Sequence, residues 1–296
     1  MSTTIEWTDE TWNPVTGCTK ISPGCRVCYA KALHDMRHKA YLAGKKIPEQ
    51  YAEPFERVQC WPSRLEIPLR WRSPRLCFVN SMADLFHEDV PFDFISQILF
   101  RMTLTPHITY QALTKRAGRM LEYFTGEQWK THGTIADTWP LPNFWLGVSV
   151  ESKKYLGRID TLRQVPAAVR MVSFEPLLED LGEVNLQGIG WAIVGGCSGR
   201  GADPMHASWA RYLVAQCDEQ GVPVFVKQMG SRPFDWADFI PKYWPKTTEH
   251  EGVFLKLRDS KGGDPAEWPE TLRRREFPRP YPGHQVVRMQ RKMVAA

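Results

Sequence analysis

Six stretches of the 296-residue chain are apolar on both faces and rich in β-branched or aromatic residues. They are LCFVNS (76–81), ITYQALT (108–114), FWLGVSVE (144–151), VRMVSFEP (169–176), WAIVGG (191–196) and VPVFVKQ (222–228). A strand with one wet face alternates apolar and polar residues. A strand covered on both faces does not, and such strands belong to parallel sheets backed by helices. The text between the runs is helical in pattern. Pro91 opens a stripe of Phe94, Ile95, Ile98, Leu99 and Met102. Ser152 is placed to cap a second helix, through Tyr155, Ile159 and Leu162, that stops before Pro166. Ser208 is placed to cap a third, with Leu213, Val214 and Cys217 inward and Gly221 as its stop. The segment after Cys28 predicts a fourth, with Ala32, Leu33 and Met36 on its apolar side. Strand and helix recurring in this way predict an α/β fold: a partial (β/α) barrel of six parallel strands, or seven with a short IEW at residues 5–7. No G-x-G-x-x-G follows the first strand, which argues against a dinucleotide fold. The barrel is expected over 1–240. Residues 241–296, rich in Trp, Pro and charge, read as a C-terminal appendage with a basic tail.

Charge narrows the class further. The chain is +5, but seven of its cations (273, 274, 275, 279, 288, 291, 292) follow residue 272, with only Glu276 against them. The rest is close to −1, which excludes a broadly basic nucleic-acid binder and leaves the tail as a possible attraction to phosphate. No apolar run approaches the roughly 20 residues of a membrane helix. The N-terminus, MSTTIEWTDE, lacks the basic-then-apolar pattern of a signal peptide. A cytoplasmic protein with no membrane contact is expected.

Cys18, Cys25 and Cys28 fall within eleven residues, six apart and then two; Cys60, Cys77, Cys197 and Cys217 are scattered. Cys77 and Cys217 sit at apolar positions and read as small buried hydrophobes. In a reducing compartment the clustered three read as a metal or redox centre. Thiolates select zinc or iron–sulfur centres. A structural zinc needs four ligands, and His34, with five residues between it and Cys28, is the available fourth. A cluster held by only three thiolates would instead leave one iron open to a small molecule.

The stretch IEWTDETWNPVTGCTKISPGCRVCYA resembles a phage and bacterial family defined by its three-cysteine motif, the Gp37/Gp68-like proteins, regarded as radical S-adenosylmethionine-like. The resemblance continues in order through VNSMADLFHEDVP, LTKRAGRM, LGVSVES, SFEPLL, VGGCSG, VPVFVKQMG and EWPETLRRREFP. It implies a partial barrel with the cysteine loop after the first strand. It also implies a 4Fe-4S cluster on Cys18, Cys25 and Cys28 and S-adenosylmethionine as cofactor. Reduction by a flavodoxin- or ferredoxin-like protein would yield a 5′-deoxyadenosyl radical that attacks a C–H bond. The commonest spacing in such enzymes is three and then two, so six and then two is a departure.

Ligands of parallel α/β folds sit at the carboxyl ends of strands. Asn80, Ser81 and Asp84 are expected to bind the cofactor's amino group, Lys115 its carboxylate and Glu151, with Ser149, its ribose. Ser173, Gly195 and Gly196 are expected to line the same pocket. Glu175, Cys197 and Lys227 are the candidates for catalysis. Glu commonly stands at the position of Cys197 in the family; a thiol there could donate hydrogen to a substrate radical. Phage association, the tail and the tryptophans point to DNA, another nucleic acid, a nucleotide or a modified base as substrate, with a free small molecule as the alternative. The reading from a different class is a non-catalytic binding module, stabilised by zinc or a cluster.

Overall fold

The computed structural model describes residues 3–126, 139–236 and 252–278. Seven parallel strands form one sheet, curled into a half-barrel: β1 (Glu10–Trp12), β2 (Arg75–Val79), β3 (Ile108–Thr114), β4 (Phe144–Ser149), β5 (Val169–Phe174), β6 (Trp191–Gly195) and β7 (Val224–Gln228). Their order in space is their order in the chain. Small additional ladders join Val15–Thr16 to Gln59–Cys60, and Met205–His206 to Pro233–Trp236 and Gly252–Phe254.

Both faces of the sheet are apolar, as the six runs require. On the convex face Val79, Ala112, Val148, Val172, Val194 and Val226 join one core with residues of α2 (Phe92–Thr103), α3 (Ala117–Thr125), α4 (Gly157–Arg163) and α5 (Ala207–Glu219). Cys77 and Cys217 are fully buried in this layer. The alternate residues, Phe78, Trp145, Met171, Trp191, Ile193 and Phe225, form a second core with Trp7. Trp191 sits at its middle, edge-on to Trp7, Trp145 and Phe225 and stacked at 5.4 Å on Phe277.

The seventh strand is ETW at 10–12, not IEW at 5–7. Trp7 is used as packing for the concave core, and the ladder to β2 begins only at Glu10 opposite Cys77. The helix after Cys28, α1 (Tyr29–Leu42), forms, but it is turned away from the expected face. Met36 is 61% exposed while His34 is fully buried. The reason is its partner: α1 packs on a polar loop, with His34 Nε2 on Glu53 O (2.9 Å) and His38 Nδ1 on Tyr51 O (2.8 Å). Ser208 does not cap α5; His206 does, its Nδ1 accepting from the Ser208 amide. Ser152 makes no side-chain cap either, because the Glu179 carboxylate takes the Lys153 amide at 2.6 Å.

Residues 274–276 run beside β7. The Val226 amide donates to Arg274 O and the Glu276 amide to Val224 O. Arg274 pairs with Asp218 and Glu276, both at 2.6 Å, and Arg275 with Glu6 at 3.1 Å. These arginines of the expected tail are therefore part of the barrel's closure. The other tail cations (279, 288, 291, 292), and the expected boundary near residue 240, lie outside the described residues.

Candidate active site at the carboxyl ends of the strands

The chain rises out of β1 and turns at once onto the open end of the half-barrel. Gly17 makes that turn at φ +88°, where a side chain would be strained, and an added Cβ would meet Arg57 O at 2.4 Å. The Gly17 amide donates to Met82 O and the Cys18 amide to Phe55 O. The loop 18–28 then crosses from one strand end to the next. Thr19 accepts from Arg116 Nη2 through its carbonyl (3.2 Å) and its hydroxyl (2.9 Å), beyond β3. Gly24 lies so close to Glu151, beyond β4, that an added Cβ would sit 3.2 Å from the Glu side chain. Arg26 donates to Gly201 O and pairs with Asp203 at 2.6 Å, beyond β6. Cys28 starts α1, and the Tyr29 hydroxyl donates to Ser81 O, beyond β2.

Cys18 and Cys28 pack against the same small cluster of Ala30, Phe55 and Met82, and the Cys25 sulfur lies 3.6 Å from Ser22 Oγ. All three thiols are partly exposed. Burial and then the Asp84 carboxylate push the Cys18 thiol up to about 11, against the pull of Arg116, whose Nη1 lies 3.6 Å from the sulfur. Among the described residues no three His, Cys, Asp or Glu side chains are gathered around a point that a single metal ion could take. His34, the candidate fourth ligand for zinc, has its Nε2 on Glu53 O and a buried Nδ1 without a partner, and it belongs to no such gathered group. A tetrahedral zinc draws four ligands to about 2.0–2.3 Å from one centre. A cluster takes each thiolate on a different iron and asks for no such convergence. The donor set, three thiols on one loop beside a guanidinium, fits an iron–sulfur cluster better than one ion.

Arg116 is the residue for which the sequence reading chose its neighbour Lys115. Almost fully buried, it donates from Nε to Glu88 (2.7 Å) and from Nη1 to Asp84 (3.3 Å), besides its bonds to Thr19 and Cys18. The LTKR stretch pointed to a cation here. Nothing in the text shows that the second of its two cations reaches back 97 residues to the cysteine loop. His87 backs the same clamp. The Asp89 amide donates to its Nδ1, so Nε2 carries the proton and donates to Thr19 Oγ1 at 2.7 Å. Burial, then Arg116, holds His87 below its usual pKa and so neutral.

Alternation along the strands fixes what faces the concave side. Ser149, Ser173 and Gly195 share the parity of Trp145, Met171 and Ile193. Asn80 follows β2 in the left-handed region at φ 62°, with Oδ1 accepting from the Val15 amide and a buried Nδ2 that has no partner. Ser81 exchanges hydrogen bonds with Asn13. Asp84 is engaged within the chain by Thr114 Oγ1 (2.6 Å), the Phe86 and Lys115 amides and Arg116. Lys115 lies on the outer flank of the cysteine loop, in a recess shared with Ile21 and Arg116. Glu151 is fully buried; Oε2 accepts from Arg158 at 2.9 Å and Oε1 has no partner. Glu175 Oε1 accepts from Lys227 Nζ at 2.6 Å and Gln228 Nε2 at 2.9 Å, and its side chain lies over Gly195. Gly196 brings the backbone against Met229 O. Cys197 is buried, and burial raises its thiol above the usual value.

No helix among the described residues is long and apolar enough to cross a membrane. Over residues 2–265 the chain matches the model of a family described as "Protein of unknown function (DUF5131)", the phage Gp37/Gp68 family. No curated protein and no solved structure matches it.

Proposed function

The chain belongs to the DUF5131 family, and we propose that it is a radical S-adenosylmethionine enzyme acting on a nucleic acid, a nucleotide or a modified base. One observation carries the proposal. A loop with three thiols lies across the carboxyl ends of a parallel half-barrel, with no fourth ligand gathered to it among the described residues, over buried polar groups that have no partner among those residues.

Cys18, Cys25 and Cys28 would hold a 4Fe-4S cluster. When bound with S-adenosylmethionine on its free iron, it supplies one-electron cleavage of the sulfonium carbon–sulfur bond, giving methionine and a 5′-deoxyadenosyl radical. Arg116 sets a fixed positive charge 3.6 Å from the Cys18 sulfur and, through Thr19 and Asp84, holds the loop in register with β3. Asn80 Nδ2 can donate to a carboxylate, and Glu151 Oε1 can accept from an ammonium or hydroxyl. Each is already desolvated, so a partner brought by a ligand relieves an existing cost. Lys227 Nζ donates to Glu175 Oε1 at the mouth, where either group would be within reach of a substrate for proton transfer. Cys197 stays a thiol, because burial disfavours its thiolate. A base within a duplex would have to be flipped out to reach this depth, at a cost of a few kcal/mol. A flavodoxin- or ferredoxin-like protein is the expected electron donor.

The test is anaerobic. Reconstituted protein, given S-adenosylmethionine and dithionite, should release 5′-deoxyadenosine and methionine. Colourless protein with stoichiometric zinc and no cleavage would contradict the proposal and leave a binding module. Nucleosides from cells with and without the protein should differ by one modified species. A change confined to small metabolites would remove the nucleic-acid part.

A further inference from the structure

A second concave feature lies outside the mouth. Between the start of α3 and the Lys153–Tyr155 turn leading into α4 is a recess of about 480 Å³, the size of a small-ligand pocket. Five cations line it, Lys115, Arg116, Arg119, Lys154 and Arg158, against one acid, Glu88. That concentration is out of keeping with a chain whose charge outside its C-terminal segment is close to −1. Three of the five are already committed. Arg116 pairs with Asp84 and Glu88, Arg158 with Glu151, and Arg119 binds the carbonyls of His87 and Val90. Lys115 and Lys154 have no ionic partner among the described residues, and both ammonium groups border the same space. Tyr155 lines the same space, its partly buried ring packed on the core and carrying the Arg158 guanidinium at 4.0 Å and the Lys154 ammonium at 5.8 Å.

We infer that this recess binds the backbone of single-stranded nucleic acid, with Lys115 and Lys154 on phosphates and Tyr155 beside a base. This rests on the nucleic-acid reading of the substrate and gives it a place. Ammonium groups without an ionic partner beside a partly exposed aromatic ring suit a single strand: the charges follow the phosphates, and a base can lie against what the ring leaves open. A recess of this volume takes one strand's phosphate and its neighbouring base. The recess also abuts the chemistry. Ile21 of the cysteine loop forms part of its wall. Arg116 reaches from it to the Cys18 sulfur, and Arg158 from it to buried Glu151. A strand held here would lie against the cysteine loop itself, at Ile21.

The test is binding of a short fluorescein-labelled single-stranded oligodeoxynucleotide to the full chain, read by anisotropy across a salt series. The Lys115→Gln/Lys154→Gln double variant breaks no ion pair, and an unchanged thermal midpoint checks its fold. The C-terminal cations are present in both proteins and cancel in the comparison. The variant should bind about tenfold more weakly at low salt, and its log–log salt slope should fall by about 1.4, roughly 0.7 per phosphate contact removed. If the oligonucleotide binds and the variant matches the parent in affinity and slope, the recess is not the site, while the nucleic-acid reading stands. If no oligonucleotide binds, the strand proposal and the nucleic-acid part of the substrate reading both fall, and a free nucleotide or base is left. If a mononucleotide displaces the oligonucleotide at equal concentration, the recess holds a free nucleotide and the strand proposal is overturned.

Discussion

The concave face of the half-barrel carries two different chemistries on the same strands at the same parity. Its lower half is Trp7, Phe78, Trp145, Met171, Trp191 and Phe225, packed edge to face. Its upper rim is Asn80, Ser149, Glu151, Ser173, Glu175 and Lys227, with orphaned polar atoms at Asn80 and Glu151. One strand, β5, passes from Met171 to Ser173 and on to Glu175 in four residues. The lower half is the apolar packing a core needs, although it too buries Trp7 Nε1 and Gln111 Oε1 without a partner among the described residues; the rim adds the carboxylates and the ammonium that a core avoids, and each unpaired buried polar atom costs about 1–3 kcal/mol. The division teaches where stability ends and function begins along a parallel strand.

The largest expected effect lies below. Trp191→Ala removes the centre of the aromatic packing and should cost about 3–5 kcal/mol in denaturant unfolding. A loss under ~1 kcal/mol would mean that the lower half is not a core. Glu175→Gln should behave in the opposite sense. It leaves Lys227 without its carboxylate, a half-buried pair, and should cost only about 1–2 kcal/mol of stability while abolishing turnover. Unchanged turnover would move Glu175 out of the rim's chemistry. The smallest effect concerns pH, and sits apart from both halves. Burial depresses the pKa of His206 below its ordinary 6.5. The unfolded chain therefore binds its proton first, and the contribution is fully present above about pH 6.5 and is lost as pH falls towards the folded value. His206→Asn keeps an N-cap acceptor for α5 and removes the titration. Its stability should fall less steeply than the parent's between pH 7 and 5; parallel curves would exclude His206 as a source of the slope.

The rim and the lower half were not equally legible. Runs such as ITYQALT and WAIVGG carry their own evidence, because a strand buried on both faces has nowhere to put a polar residue until it ends. The first polar residues after each run then mark the rim, and Glu151, Glu175 and Lys227 were readable in that way. The edge strand β1 was not, since three residues carry no period, and a nearby Trp destined for the core looked more strand-like. Nor was the buried face of α1, where His34 and His38 bond to the 51–53 carbonyls beside a small apolar cluster of Ala30, Leu33, Phe55 and Met82. Arg116 was hidden for another reason. Its partners come from residues 18, 19, 84 and 88, and a convergence of that range leaves no local pattern.

All of this depends on what the three thiols hold, and iron and acid-labile sulfide per chain after anaerobic reconstitution measure that directly. The parent and Cys60→Ala should each carry about four of both, and Cys18→Ala, Cys25→Ala and Cys28→Ala should not assemble the cluster. One zinc per chain without sulfide, or loss of iron in Cys60→Ala, would contradict a centre held by these three residues with an iron left open.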